Sequence, residues 1–210
     1  MTLAATERAA LADLLDEVGP SHPTLCEGWM AGHLLTHLLI RERRPDAAVG
    51  AKVGPLKAWS KRVSRRYALQ DWSFQVEEFR EGPPKLSPMR FGAVDEVVNG
   101  MEHFVHHEDV RRGAKGWQPR VLDENTRKAV EDLLTSVAVK LAVRDLKHGL
   151  TAQLPDRRLL VMKKDDPMVT IIGEPAEILL WALGRRGACQ VEFAGDPSLL
   201  ADLEQDKNAA

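Results

Sequence analysis

NGMEHFVHHEDVRRG, residues 99–113, is the stretch that organises this chain. It sets three histidines among three acids, ahead of Gly113. The surrounding pattern predicts one helix over residues 91–112, with Gly113 as its stop. At about 100° per residue, Phe91, Val94, Val98, Met101 and Val105 share a stripe expected to face a core. Measured from Val98, Glu102 lies about 40° and His106 about 80° around the helix, at the edge of that stripe. His103 and His107 fall about 140° and 180° away and are expected to face solvent. Asp109 returns to the inner stripe at about 20°.

Glu102 and His106 stand at i, i+4, so their side chains lean toward one point. A carboxylate and an imidazole aimed inward suit a divalent cation. Acid–histidine pairs on bundle helices are also how bundle-core metal sites are built. An ordinary intrahelical pair, worth a few tenths of a kcal/mol, is the competing reading. A third ligand would have to come from another helix. His37 is the candidate, in GHLLTHLLIRERR, residues 32–44, among Leu34, Leu35, Leu38 and Leu39. An imidazole there needs a partner, because a buried unsatisfied polar group costs about 1–3 kcal/mol. His33, one turn earlier, competes with it, and a satisfied core histidine is the plain alternative. Asp109 would serve as an acceptor orienting a ligand, or as a salt-bridge partner.

The rest of the chain builds the frame. Thr2 is placed to cap a first helix that ends at Gly19. A loop over 20–29 leads into a buried helix over 30–44, ended by Pro45. A basic third helix is expected over 56–69, and a proline-rich loop over 79–90. Asp123 can cap a fifth helix to about residue 143, with Val130, Leu133, Leu134, Val137 and Leu141 inward. Beyond Leu146 the texture becomes β-like. Strands are expected at 150–154, 159–163, 168–172 and 189–193, with helices at 174–183 and 197–203. The last residues should fray. The reading is a mainly α chain with a helical bundle over 1–145 and a small α+β unit over 146–205.

The chain has 210 residues, 44% hydrophobic and 29% charged, enough for a core without loss of solubility. A formal net charge of −2 gives no overall positive field for nucleic acid or acidic membrane. Two distant cysteines, Cys26 and Cys189, do not form a disulfide scaffold. The N-terminus lacks a signal-peptide pattern, and no apolar run approaches the ~20 residues needed to span a bilayer. These features point to a cytoplasmic protein.

Three segments carry a family resemblance. PTLCEGWMAGHLLTHLLIRERRPD, residues 23–46, resembles a Gly-Trp turn followed by a helix with a histidine ligand. Residues 102–110, EHFVHHEDV, resemble a Glu-x-x-x-His-x-x-Asp-Leu element. VTIIGEPAEILLWALGRRG, residues 169–187, resembles a small accessory domain. Together they resemble the DinB/YfiT-like metalloprotein superfamily, in its mycothiol-dependent maleylpyruvate isomerase branch. The charged RERRPD segment and the shorter C-terminal unit resemble a subgroup described only as metal-binding.

The resemblance implies a four-helix bundle holding zinc, or nickel, iron or manganese, on His37, Glu102 and His106. It implies mycothiol as thiol cofactor or co-substrate, an electrophilic small-molecule substrate, and S-transfer or isomerisation. Arg41 and Arg185 are candidate contacts for substrate or thiol. Cys26 could be a reactive thiol or a plain loop residue. A metal-dependent hydrolase on the same bundle and a non-enzymatic metal-binding stress protein are the alternatives.

Overall fold

The computed structural model describes residues 2–50, 56–84, 98–200 and 203. The chain divides into two compact units, Met1–Trp117 and Gln118–Ala210.

The first unit is helical: α1 (Leu3–Val18), α2 (Ala31–Arg43), α3 (Pro45–Gly50), α4 (Lys57–Ala68), α5 (Trp72–Glu81) and α6 (Gly100–Arg111). Thr2 Oγ1 accepts from Ala5 N at 3.2 Å and starts α1, and Gly19, at φ 75°, ends it. Leu34, Leu35, Leu38 and Leu39 of α2 are fully buried, with Leu11 and Leu15 of α1, Val76 and Phe79 of α5, and Val110 of α6. Each such leucine contributes about 1.5–3 kcal/mol through the area it removes from water. Spacing alone assigns no element to residues 70–78 and puts 79–81 in the proline-rich loop, where the structure has helix α5. Its first turn is closed by Asp71, whose carboxylate accepts from Phe74 N at 3.2 Å. Residues 85–97, which include the rest of that expected loop and the start of the expected long helix with Phe91 and Val94, lie outside the described residues.

Helix α6 departs from its expected orientation. It was read as one-faced, with Val98 inward and His103 and His107 in water. Instead Val98 is 41% exposed, while His103 and His107 are buried. The reason is enclosure: groups from α1, from α2 and from the 20–29 loop all reach α6, so nearly its whole circumference is interior. Buried polar groups must then find partners. His103 Nδ1 lies 3.1 Å from the Ala4 carbonyl, and its Nε2 lies 3.0 Å from Glu42 Oε1. Arg8 donates to Glu42 Oε2 at 2.8 Å and to the Phe79 carbonyl at 3.0 Å. His107 Nδ1 lies 2.8 Å from Glu7 Oε2. Glu108 accepts from Arg112 Nε at 2.6 Å.

The second unit holds α7 (Glu124–Leu133), α8 (Val137–Ala142), β1 (Gly149–Gln153), β2 (Leu159–Lys163), β3 (Met168–Ile172), α9 (Pro175–Ala182) and β4 (Glu192–Ala194). The sheet order is β2-β1-β3-β4. β1 runs antiparallel to β2 and parallel to β3, and β4 is antiparallel to β3. The α-plus-β texture expected of the C-terminal region is present. Helix α7 packs on α9 within this unit. The expected fifth helix is also two helices. Ser136 Oγ accepts from Val139 N at 3.3 Å and starts α8 afresh, which leaves Val137 and Leu141 exposed. Residues 197–200 are helical, whereas the tail at 204–210 lies outside the described residues.

Glu42 is the hinge of the buried charge network, and its loss would leave Arg8 and His103 facing each other uncompensated. Glu42→Gln should lower the unfolding free energy by about 3–5 kcal/mol, measured by urea denaturation. Burial pushes the Glu42 carboxyl up, but hydrogen bonds from His103 and Arg8 and the Arg8 charge outweigh it and hold it below its ordinary value. A depressed carboxylate stabilises the fold above the unfolded value of about 4.3 and loses that contribution as pH falls through the folded value. The wild-type protein should therefore lose more stability between about pH 5 and 2 than Glu42→Gln does.

Candidate metal centre

Helix α2 carries His33, His37 and Arg41 at successive i, i+4 positions on the edge of its leucine face. His33, at the helix start, is exposed, and its Nδ1 accepts from Met30 N at 3.1 Å. That bond caps α2 and occupies one nitrogen of the competing histidine. His37 sits one turn on, with its side chain 39% exposed. It is half-open rather than sunk among the leucines. Its ring lies 5.3 Å from that of Trp29 and 5.6 Å from that of His106, centroid to centroid.

Helix α6 brings Glu102 and His106 to the same place. Glu102 Oε1 is 3.3 Å from His37 Nε2 and 3.4 Å from His106 Nε2. The ligand atoms of His37, Glu102 and His106 all lie within 4.8 Å of one another. Asp109, fully buried, places Oδ2 2.9 Å from His106 Nδ1. This bond sets the ring so that Nδ1–H serves the aspartate and Nε2 faces Glu102.

The distances within the cluster fall into two classes. Charge-assisted N–H···O bonds are normally about 2.7–2.9 Å long. His107–Glu7 at 2.8 Å and His106–Asp109 at 2.9 Å are of that kind. The Glu102 contacts, at 3.3 and 3.4 Å, are not. A tetrahedral ion with ligands at about 2.0–2.2 Å holds neighbouring ligand atoms about 3.3–3.5 Å apart. Glu102 therefore stands at ligand-edge spacing from both imidazoles. Two imidazoles and a carboxylate are also a donor set that zinc accepts. By spacing and by chemistry these residues fit a divalent cation.

The electrostatics agree. Burial pushes Glu102 up, but His106, His37 and the Arg41 charge outweigh it and hold the carboxyl far below the usual carboxylate range. Burial lowers His106, yet hydrogen bonding with Asp109, Cys26 and Glu102 raises it well above the ordinary histidine value. The cluster is thus a deep sink for positive charge.

Among the other expected residues, Arg41 is turned into the protein. Its Nε lies 3.6 Å from Glu102 Oε1, and its Nη1 donates to Asn99 Oδ1 at 2.5 Å. It steadies Glu102. Arg185 belongs to the second unit, where its guanidinium donates to the Leu183 carbonyl at 2.7 Å. Two residues were undervalued from sequence. Cys26 Sγ donates to Asp109 Oδ2 at 3.3 Å, and Trp29 stands beside His37. A Cys and a Trp bracketing the entry to a histidine-bearing helix were the available signal. Nothing local marked their reach to α6. Cys26, His106 and Asp109 form a second group of closely spaced potential ligands among the described residues.

Two solved structures share this fold. One is the crystal structure of the mycothiol-dependent maleylpyruvate isomerase, at TM-score 0.59 and 16% identity, with 91% of this chain and 90% of that chain covered. The other, a histidine-to-alanine mutant of it, matches at TM-score 0.58 and 17% identity with the same coverage. At such identity the likeness establishes the fold alone. No protein-family model matches the chain, and no curated protein matches its sequence.

The histidines of α6 should separate by role. His106→Ala should weaken divalent-metal binding by at least about 100-fold, measured by chelator competition. His103→Ala should leave that affinity unchanged while lowering the melting temperature, because it breaks the Glu42 network and opens a cavity. Equal metal loss in both variants would remove the assignment.

Proposed function

We propose that this protein is a metal-dependent enzyme of the DinB/YfiT-like type that uses a small thiol, with mycothiol as cofactor or co-substrate, for isomerisation or S-transfer on an electrophilic small molecule. In this reading α1, α2, α5 and α6 are the helices of a DinB-like four-helix bundle. His37, Glu102 and His106 hold a divalent ion, with zinc the best match to the donors. The observation that carries it is the 3.3 and 3.4 Å spacing of Glu102 from two imidazoles at a half-open position. The fold shared with the mycothiol-dependent maleylpyruvate isomerase supports the choice of chemistry.

Three protein ligands with one open direction is the pattern of a reactive metal site, whereas structural zinc is closed by a fourth protein ligand. His37, 39% exposed, and Glu102, 25% exposed, mark the open side. A divalent ion there would hold a thiol sulfur as thiolate at neutral pH. The chain's own residues prepare the site for that role. Asp109 keeps the Nδ1–H of His106 engaged, so its Nε2 lone pair is presented inward. Arg41, itself anchored on Asn99, holds Glu102 in register. Trp29, partly exposed beside the His37 ring, supplies apolar surface at the half-open edge, suited to the carbon skeleton of a second substrate. No helix among the described residues is long and apolar enough to cross a membrane. We place the protein in the cytoplasm, acting on small molecules and not on nucleic acid.

Metal analysis of protein purified without added ions should give close to one divalent ion per chain. Cobalt substitution followed by mycothiol titration should then produce a sulfur-to-cobalt charge-transfer band. Maleylpyruvate with mycothiol is the first substrate pair to assay. A protein without metal would end the proposal. A loaded protein silent to millimolar thiol, yet hydrolysing ester or amide substrates, would replace it with the hydrolase alternative.

A further inference from the structure

The loop between α1 and α2 is fastened to the C-terminal half of α6. Leu25 N donates to the Asp109 carbonyl at 3.0 Å, and His22 Nε2 lies 3.2 Å from the Val110 carbonyl. Gly113 permits the approach, since a Cβ there would stand 2.1 Å from the Pro23 carbonyl oxygen. Within the loop, Thr24 Oγ1 accepts from Cys26 N at 3.2 Å and donates to the Trp29 carbonyl at 2.8 Å. Trp29 N closes on the Cys26 carbonyl at 2.9 Å. These bonds deliver Cys26 Sγ to 3.3 Å from Asp109 Oδ2, the oxygen that lies 2.9 Å from His106 Nδ1.

We infer that Cys26 is a positioning residue for the ligand His106, acting through Asp109. The inference rests on the metal-binding reading above. An ionised carboxylate only accepts, so the thiol S–H and the imidazole N–H both donate to one oxygen. The helix supplies one donor and the loop supplies another. Together they fix the rotation of a carboxylate that has no access to water. That carboxylate in turn fixes the ring whose Nε2 faces Glu102 and His37.

The geometry separates this role from ligation. Asp109, to which Cys26 donates, meets His106 at Nδ1, whereas Glu102 meets it at Nε2. The 2.9 Å between His106 Nδ1 and Asp109 Oδ2 is a hydrogen-bond length, shorter than the ~3.3 Å edge expected between ligands of one ion. Cys26 thus supports the ion's ligand from behind.

The test measures the zinc dissociation constant by chelator competition, and the cobalt spectrum, on the full chain in a Cys189→Ser background. Outer partners of metal ligands typically change affinity 10–100-fold, and a weak S–H donor belongs at the low end, so Cys26→Ala should weaken zinc about tenfold and shift the cobalt d–d bands. Cys26→Ser, which keeps a donor, should return affinity to within about threefold of the parent. In an Asp109→Ala background, which removes the acceptor, Cys26→Ala should add nothing further. If Cys26→Ala fails to fold, methyl methanethiosulfonate on the folded metal-free parent supplies the same deletion of the donor. The Cys26 thiolate displaces methanesulfinate and becomes a methyl disulfide, which should reproduce the tenfold loss. Unchanged zinc affinity in both the alanine variant and the methylthiolated protein would overturn the inference. So would an equal loss on Cys26→Ala in the Asp109→Ala background, which would mean that Cys26 acts without Asp109. A parent protein that binds no zinc overturns the metal reading and this inference together. Normal parent binding with an indifferent Cys26 overturns this inference alone.

Discussion

A helix enclosed on nearly every side cannot carry charge without partners, and α6 is both enclosed and densely charged. An uncompensated ionised group in such a place costs several kcal/mol, comparable to the whole stability of many domains. The neighbouring elements answer this residue by residue. Helix α1 contributes Glu7 and Arg8, α2 contributes His37, Arg41 and Glu42, and the connecting loop contributes Cys26. Their positions relative to α6 follow from that requirement as much as from the leucine core.

The two sides of α6 use the same residue types for different ends. On one side, His103 and His107 meet Glu42 and Glu7 at ordinary hydrogen-bond distances. Those groups are closed, buried and structural. On the other, Glu102 keeps both its imidazole neighbours at a wider spacing beside a partly open edge. A histidine–carboxylate pair is therefore uninformative by composition. Its separation and its access to solvent decide whether it locks a core or awaits a cation.

The site is also layered. Glu102 is steadied by Arg41, which Asn99 anchors, and His106 by Asp109, and Asp109 is approached by a loop that a side chain at position 113 would displace. Reactive centres gain rigidity this way. His37, Glu102 and His106 sit on two helices, Arg41 and Asp109 orient them from those same helices, and Cys26 of the loop adds a contact from a different part of the chain.

Local chemistry was legible in the sequence because it depends on near neighbours. Caps at Thr2 and Asp123, the strands at 159–163 and 168–172, the leucine face of α2 and the i, i+4 relation of Glu102 to His106 all follow from spacing alone. What spacing could not supply was the number of neighbours around α6. Periodicity assumes one wet face, and on that assumption His103 and His107 belong in water. Tertiary packing removed the wet face. Glu7 and Arg8, set among the apolar positions of α1, were the trace of this in the sequence, but their partners lie about a hundred residues away on another helix in the case of Glu7 and on α2 in the case of Arg8. The same holds for the reach of Cys26 to Asp109 and for the packing of α7 with the sheet unit. A one-dimensional pattern records which groups must be satisfied, whereas only the folded chain determines which other groups satisfy them, because that is fixed by long-range packing and not by spacing along the backbone.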